Sequence, residues 1–210
     1  TMHFEPGLWY IHIGRPQTRV TLSVGGIGNF TAYFETGQQI DPMPAPPSQV
    51  TSIVNANGLN DQRDENALNV GGGVAFGASF AMGSQDEFEI GNNFEVYYNI
   101  AAGAGFDIMV LNYGPNAHCQ NSSSTVGING WYSTGQIYAY LQGTVGISGE
   151  FMSQEFDVTI LSLSAAAILQ ARLPNPTWVG GAVGCDYDIL GGAISGHVDC
   201  AFQVGNQCSI

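Results

Sequence analysis

The side chains able to do chemistry are few, and their spacing restricts what they could do. His118 and Cys119 are adjacent, a pairing that suggests a cysteine nucleophile beside an imidazole. On an extended chain, however, neighbouring side chains point apart, and no Asn or Asp partner is placeable. His197 and Asp199 share the polar parity of one stretch, and Asp186 and Asp188 share that of the stretch before it. Together they are the donor set of a cation site with oxygen ligands and one His. A solvent-facing strand carries such residues anyway. The acidic groups Asp61, Asp64 and Glu65, and Asp86, Glu87 and Glu89, would suit Ca²⁺, but neither has the spacing and glycine of an EF-hand loop, so they read as solvated charge. Gly25-Gly26-Ile27-Gly28 has no P-loop lysine and no strand-to-helix context, and reads as a turn. GxSxG, HExxH and paired-carboxylate signatures are absent. The chain is therefore expected to be no enzyme and to need no cofactor, with Ca²⁺ the one ion worth testing.

Aromatic residues offer the other candidate site. Trp131, Tyr132, Tyr138 and Tyr140, and more remotely Trp9, Tyr10 and Tyr33, would make a platform for sugar rings, since each ring has an apolar body and most have a polar handle. Core packing explains the same residues, because only Tyr138 and Tyr140 sit clearly on a polar parity.

Charge narrows the partners. The 210 residues hold 17 acidic and 4 basic side chains, a net charge of −13. Duplex binding draws most of its affinity from Lys and Arg, so nucleic acid is excluded as a partner, and docking on anionic lipid is disfavoured in the same way. Hydrophobic residues at 44% and aromatic residues at 11% are enough to build a core. No run of 18 apolar residues exists to form a membrane-spanning helix. The four cysteines lack CxxC spacing, and Cys200 and Cys208 are close enough for a local loop to join them, so a Cys200–Cys208 disulfide is expected, with Cys119 and Cys185 unassigned. A disulfide and an acidic, lysine-poor surface point to an extracellular or cell-surface setting.

The elements that would position these residues are strands. From Phe94 to Val110, alternate positions are free of charge, while the other parity carries Asn93, Glu95, Asn99 and Asp107. Period 2 returns over 137–147, 179–189 and 194–204, with Gly191-Gly192 marking a hairpin. Over 70–82, Gly71, Gly73, Ala75, Gly77, Ser79 and Ala81 form a face of minimal side chains, suited to close approach by another layer. The stretch 162–172 is rich in helix formers and stops before Pro174, whereas Phe156, Val158 and Ile160 alternate as a strand whose parity switches at Leu161. The expected fold is all-β and mainly antiparallel, a long-stranded sandwich or stacked sheets with at most one short helix near 162–172. Four prolines in the stretch 42–47 and the polar run that follows divide the chain into an N-terminal β unit (1–40), a proline-rich arm and polar connection (41–69), and a main β unit (70–210) that could share one core with the first.

Several segments also resemble a known kind of domain: Trp9-Tyr10-Ile11-His12-Ile13-Gly14-Arg15-Pro16, Met43-Pro44-Ala45-Pro46-Pro47, Gly130-Trp131-Tyr132-Ser133-Thr134-Gly135-Gln136 and Leu173-Pro174-Asn175-Pro176-Thr177-Trp178. They look like parts of an uncharacterised, TANFOR-type domain of very large secreted or surface proteins of Bacteroidota. The resemblance implies a module of a large extracellular protein and supplies no catalytic residues. The expected function is a structural or adhesive module whose partners are other protein subunits or neighbouring domains, working as a homo-oligomer or as part of a longer chain. A glycan-binding or Ca²⁺-dependent module is the alternative, with surface glycans as its partner, and an outer-membrane β-barrel comes after that.

Overall fold

The computed structural model describes residues 1–56, 71–90, 93–120, 122–151 and 153–210. Among the described residues ten strands and one helix follow one another: β1 Met2–Glu5, β2 Leu8–Ile13, β3 Val20–Val24, β4 Gly28–Gly37, α1 Ser48–Ala56, β5 Gly73–Ile90, β6 Phe94–Asn112, β7 Trp131–Phe151, β8 Gln154–Leu173, β9 Trp178–Ile189 and β10 Ile194–Gly205. All-β is the observed class. The strands form one antiparallel sheet in the order β1-β2-β4-β5-β6-β7-β8-β9-β10, with β3 beside β2 on the same flank of β4. Strands joined by short connections pair with their chain neighbours, which yields this meander. A second sheet is thus not formed among the described residues, and the expected sandwich is replaced by one sheet covered on one side by irregular segments.

The four central strands run 18 to 21 residues, against a common length of five or six. Many cross-strand pairs set an aromatic ring against a glycine: Tyr33 with Gly77, Tyr97 with Gly146, Tyr138 with Gly105, Tyr140 with Gly103, Tyr187 with Gly196 and Phe202 with Gly181. A Cβ on any of these glycines would run into the partner ring, so the high glycine content holds rings flat on the sheet.

The stretch 162–172, which its sequence leaves open between helix and strand, is strand. Residues 154–173 form β8, paired with β7 on one side and β9 on the other, and these pairings outweigh the helix propensity of Ala165-Ala166-Ala167. The parity switch at Leu161 is a bulge: Leu161 pairs with Val145 and Thr159 with Gly146, leaving Ile160 extra. The one helix, α1, instead follows the proline-rich arm and packs on β7, β8 and β9.

The N-terminal and main β units share a core. β4 pairs with β5 over nine positions, and Tyr33, Ile40 and Met43 cluster with Ala75, Met109 and Leu111. A second cluster seats Val50 and Ile53 of α1 on Tyr138, Ala166, Ile168 and Ala182. A third joins Cys119, Val126, Tyr132 and Cys208. All three lie on the same side of the sheet.

Candidate functional site

Register fixes which residues share a face. The row Tyr33, Gly77, Asp107, Gln136, Gln170, Gly180 and Gln203 crosses from β4 to β10 on one side. This polar-parity side is the covered one: Asp107 is 0%, Gln170 1% and Gln136 4% exposed. One residue further along each strand, the side chains project to the opposite face, and there Ile137 is 54%, Val183 55% and Phe202 49% exposed. Burial is therefore inverted relative to hydrophobicity. From β4 to β10, between the rows of Val74 and Met82, the open face has no charged side chain, and Thr36 and Ser133 are nearly its whole polar content. A depression of about 710 Å³ lies in it, with Ala104, Ala139, Ala167 and Gly181 as its floor and Phe30, Phe80, Phe106 and Phe202 as its walls. Residues from all of β4 to β10 line this hollow.

The covered face holds two buried ionic groups. Arg19 Nη2 donates to Asp107 Oδ1 at 2.6 Å, Gln136 Nε2 donates to Asp107 Oδ2 at 2.9 Å, and the Arg19 guanidinium lies 5.0 Å over the Tyr33 ring. Gly77 makes room for this, since a Cβ there would collide with Asp107 Oδ1 and the Tyr33 ring. Burial pushes the Asp107 carboxyl upward against the pull of Gln136 and Arg19, and it pushes the Tyr33 hydroxyl upward too. In the second group, Asp41 N donates to Glu35 Oε2 at 3.0 Å, and Arg15 lies 4.0 Å from Glu35 and 3.6 Å from Asp41. His12 Nε2 donates to Gln39 O at 2.7 Å, while Arg15 donates to its Nδ1. Burial raises the Glu35 carboxyl to about 7, although the Asp41 amide and Arg15 pull it down. These groups fasten the arm 38–47 to the sheet, with Asp41 N bonded to Glu35 and Pro44 O to Gln136.

The disulfide joins Cys119 to Cys208, with a Cα–Cα distance of 5.1 Å, and corrects the expected Cys200–Cys208 pair. Parity explains the change. Cys200 projects to the open face with Phe202, whereas the chain turns at Gly205 (φ 92°) and the tail returns on the covered side. There Gln120 N donates to Ser209 O and Arg172 Nη1 donates to Cys208 O, placing Cys208 against the loop of Cys119. Cys119 thus has no free thiol to serve as a nucleophile beside His118. Cys185 and Cys200 are both free thiols on the open face.

The four candidate platform residues do not meet on one exposed surface. Tyr132 and Tyr138 are buried on the covered face in separate clusters, where Tyr132 Oη donates to Pro176 O, and Tyr140 packs against the cluster of Tyr138. Trp131 projects to the other side, 44% exposed. Around His197, Nδ1 lies 2.5 Å from Asp186 and Nε2 3.1 Å from Asp199, so the imidazole bridges two carboxylates, and its pKa is raised first by the Asp186 hydrogen bond. Asp188 accepts from Gly192 N. Among the described residues no group of three or more His, Cys, Asp or Glu is arranged to hold a metal ion. Asp61, Asp64 and Glu65 lie outside the described residues, and Asp86, Glu87 and Glu89 are exposed along β5.

No family model, curated protein or solved structure matches this chain. Sequence reading missed Arg19, Glu35 and Gln136 as structural polar groups. Asp107 was visible as the charged member of a strand's polar parity, but parity alone assigned it to solvent.

Proposed function

We propose that this chain is a structural module of an extracellular or cell-surface protein assembly, joined to other protein through the uncharged face of its sheet, and that it catalyses no reaction. The observation that carries the reading is the inverted burial: the ionic and amide row is covered by the chain's own arm, helix and tail, while the phenylalanine- and valine-rich parity has no cover among the described residues. Isolated soluble proteins rarely expose a contiguous apolar patch beyond about 300–600 Å². Here β4 to β10, spaced about 4.8 Å apart and apolar over some nine residues, offer about 900 Å². The resemblance to modules of large surface proteins and the Cys119–Cys208 disulfide support the same setting.

Cys200 reports on this directly, because it lies exposed on the open face of the single chain. In the native assembly, its reaction with a maleimide should be slowed at least tenfold relative to chains dispersed in mild denaturant that keeps the Cys119–Cys208 bridge. Full-rate labelling in the native assembly would show the face to be bare and would remove the basis for a structural module.

A further inference from the structure

We infer that the occupant of the open face is a second copy of the same chain, packed sheet on sheet about a two-fold axis that lies between the sheets and runs along β7. This rests on the structural reading above and names the partner. The first reason is the division of the face. Strands β4, β5 and β6 carry five phenylalanines on it, Phe30, Phe34, Phe76, Phe80 and Phe106, while β8, β9 and β10 carry one, Phe202, among leucines, valines and small residues such as Leu169, Val179, Val183, Ala167 and Gly181. An axis along β7 sets the aromatic-rich half of each copy over the mainly aliphatic half of the other, and this pairing is self-complementary, as an isologous interface requires. The second reason is charge. Two chains of −13 each repel unless their charges stay apart, and among the described residues this face, between the rows of Val74 and Met82, carries no charge. The third is size, since about 900 Å² per copy matches the roughly 800 Å² per partner of a stable interface.

Lipid fits the same face less well. Within hydrocarbon every backbone group must be paired, yet among the described residues β10 pairs only with β9, which leaves an open edge. The apolar parity of β6 runs from Phe94 to Val110, about 56 Å at 3.3 Å per residue, against 9–11 residues for a membrane strand. Acidic chains also gain nothing from anionic headgroups.

Sedimentation equilibrium of the intact 210-residue chain tests the inference. The expected species is a dimer, twice the 22.2 kDa chain, at micromolar concentration. Ala139→Glu at the centre of the depression and Val183→Glu on β9 should each weaken dimerisation at least 100-fold. Both side chains are exposed on the single chain, so far-UV circular dichroism and the Cys119–Cys208 bridge should be unchanged. Ser148→Glu, on the opposite face, should leave the dimer intact. The axis is tested separately with Leu141→Cys in a Cys185→Ser, Cys200→Ser background: a bis-maleimide spanning about 10 Å, the usual separation of packed sheets, should link 141 to 141 of the partner. A monomer at 100 μM, a dimer indifferent to Ala139→Glu, or a monomer that floats with phosphatidylcholine vesicles would each overturn the inference. A monomeric isolated chain whose Cys200 is nevertheless protected in the native assembly would overturn it while leaving the structural reading in place.

Discussion

Between about pH 4.5 and pH 7 the fold should lose roughly 3 kcal/mol of stability through one side chain, Glu35. Its carboxyl is 0% exposed and raised from 4.5 to about 7, with burial as the first cause. In that interval the folded chain holds a proton that the unfolded chain has released, so stability is fully present below the unfolded pKa and declines as pH rises through the folded one. The groups facing Glu35 are His12 from β2, Arg15 from the loop after it and Asp41 from the arm. Glu35→Gln keeps an oxygen to accept from Asp41 N and removes the titration. The two proteins should therefore melt together near pH 4 and diverge by about 3 kcal/mol at pH 8, with the variant the more stable. For a chain of this size that is about 6–12 °C in Tm, read by scanning calorimetry at several pH values. Asp107 and His197 titrate in both proteins, so the difference between them isolates Glu35. Parallel curves would mean that Glu35 is ionised in the fold and held by Arg15, and the desolvation argument would be wrong.

Three further perturbations follow from the covered face. Arg19→Met leaves the fully buried Asp107 without its cation and should cost about 3–5 kcal/mol in urea unfolding, with part recovered by adding Asp107→Asn. Removing the disulfide with Cys119→Ser and Cys208→Ser opens a closure of 89 residues, so the unfolding free energy should fall by about 4–5 kcal/mol, measured against the oxidised parent. Ala75→Leu adds three carbons where Tyr33, Ile40, Met43, Met109 and Leu111 already meet, and the urea midpoint should drop by the equivalent of about 1–3 kcal/mol.

Alternation made the strands readable because a two-residue period needs only local sequence. Phe94 through Val110 and the stretches after Ile137, Val179 and Ile194 each became a strand on that signal. What alternation does not encode is which face the rest of the chain will cover. The apolar parity of β6 was the natural choice for the core, yet Gly103, Gly105, Asp107, Met109 and Leu111 are the buried set. Composition leaves the helix ambiguous for a related reason. Ser162–Arg172 has the better helical composition, but it lies between two long strands that pair with it along its length. Ser48–Ala56 has no such neighbours, and Val50 and Ile53 give it a side to dock. The disulfide was lost to the tail's turn at Gly205, a reversal that cysteine spacing does not record.

Reach decides the face. Among the described residues, the segments that cover the sheet are the arm and helix at 38–56, the loop after β6 and the tail at 206–210, and each carries its own anchor: Ile40, Met43 and Val50, then Val126, then Cys208. All of them fall on the side of Asp107 and Gln136, where they also complete hydrogen bonds, as Pro44 O does for Gln136. A polar row closed off in this way demands a fixed set of partners, and a buried polar group left without them is costly. The opposite face demands only apolar contact, which a neighbour can supply without matching hydrogen bonds. A chain that spends its own segments on the exacting side and leaves the undemanding side open is suited to being completed by another molecule. The open side, aromatic-rich on β4 to β6 and mainly aliphatic on β8 to β10, is the contact surface that the proposed second copy would need.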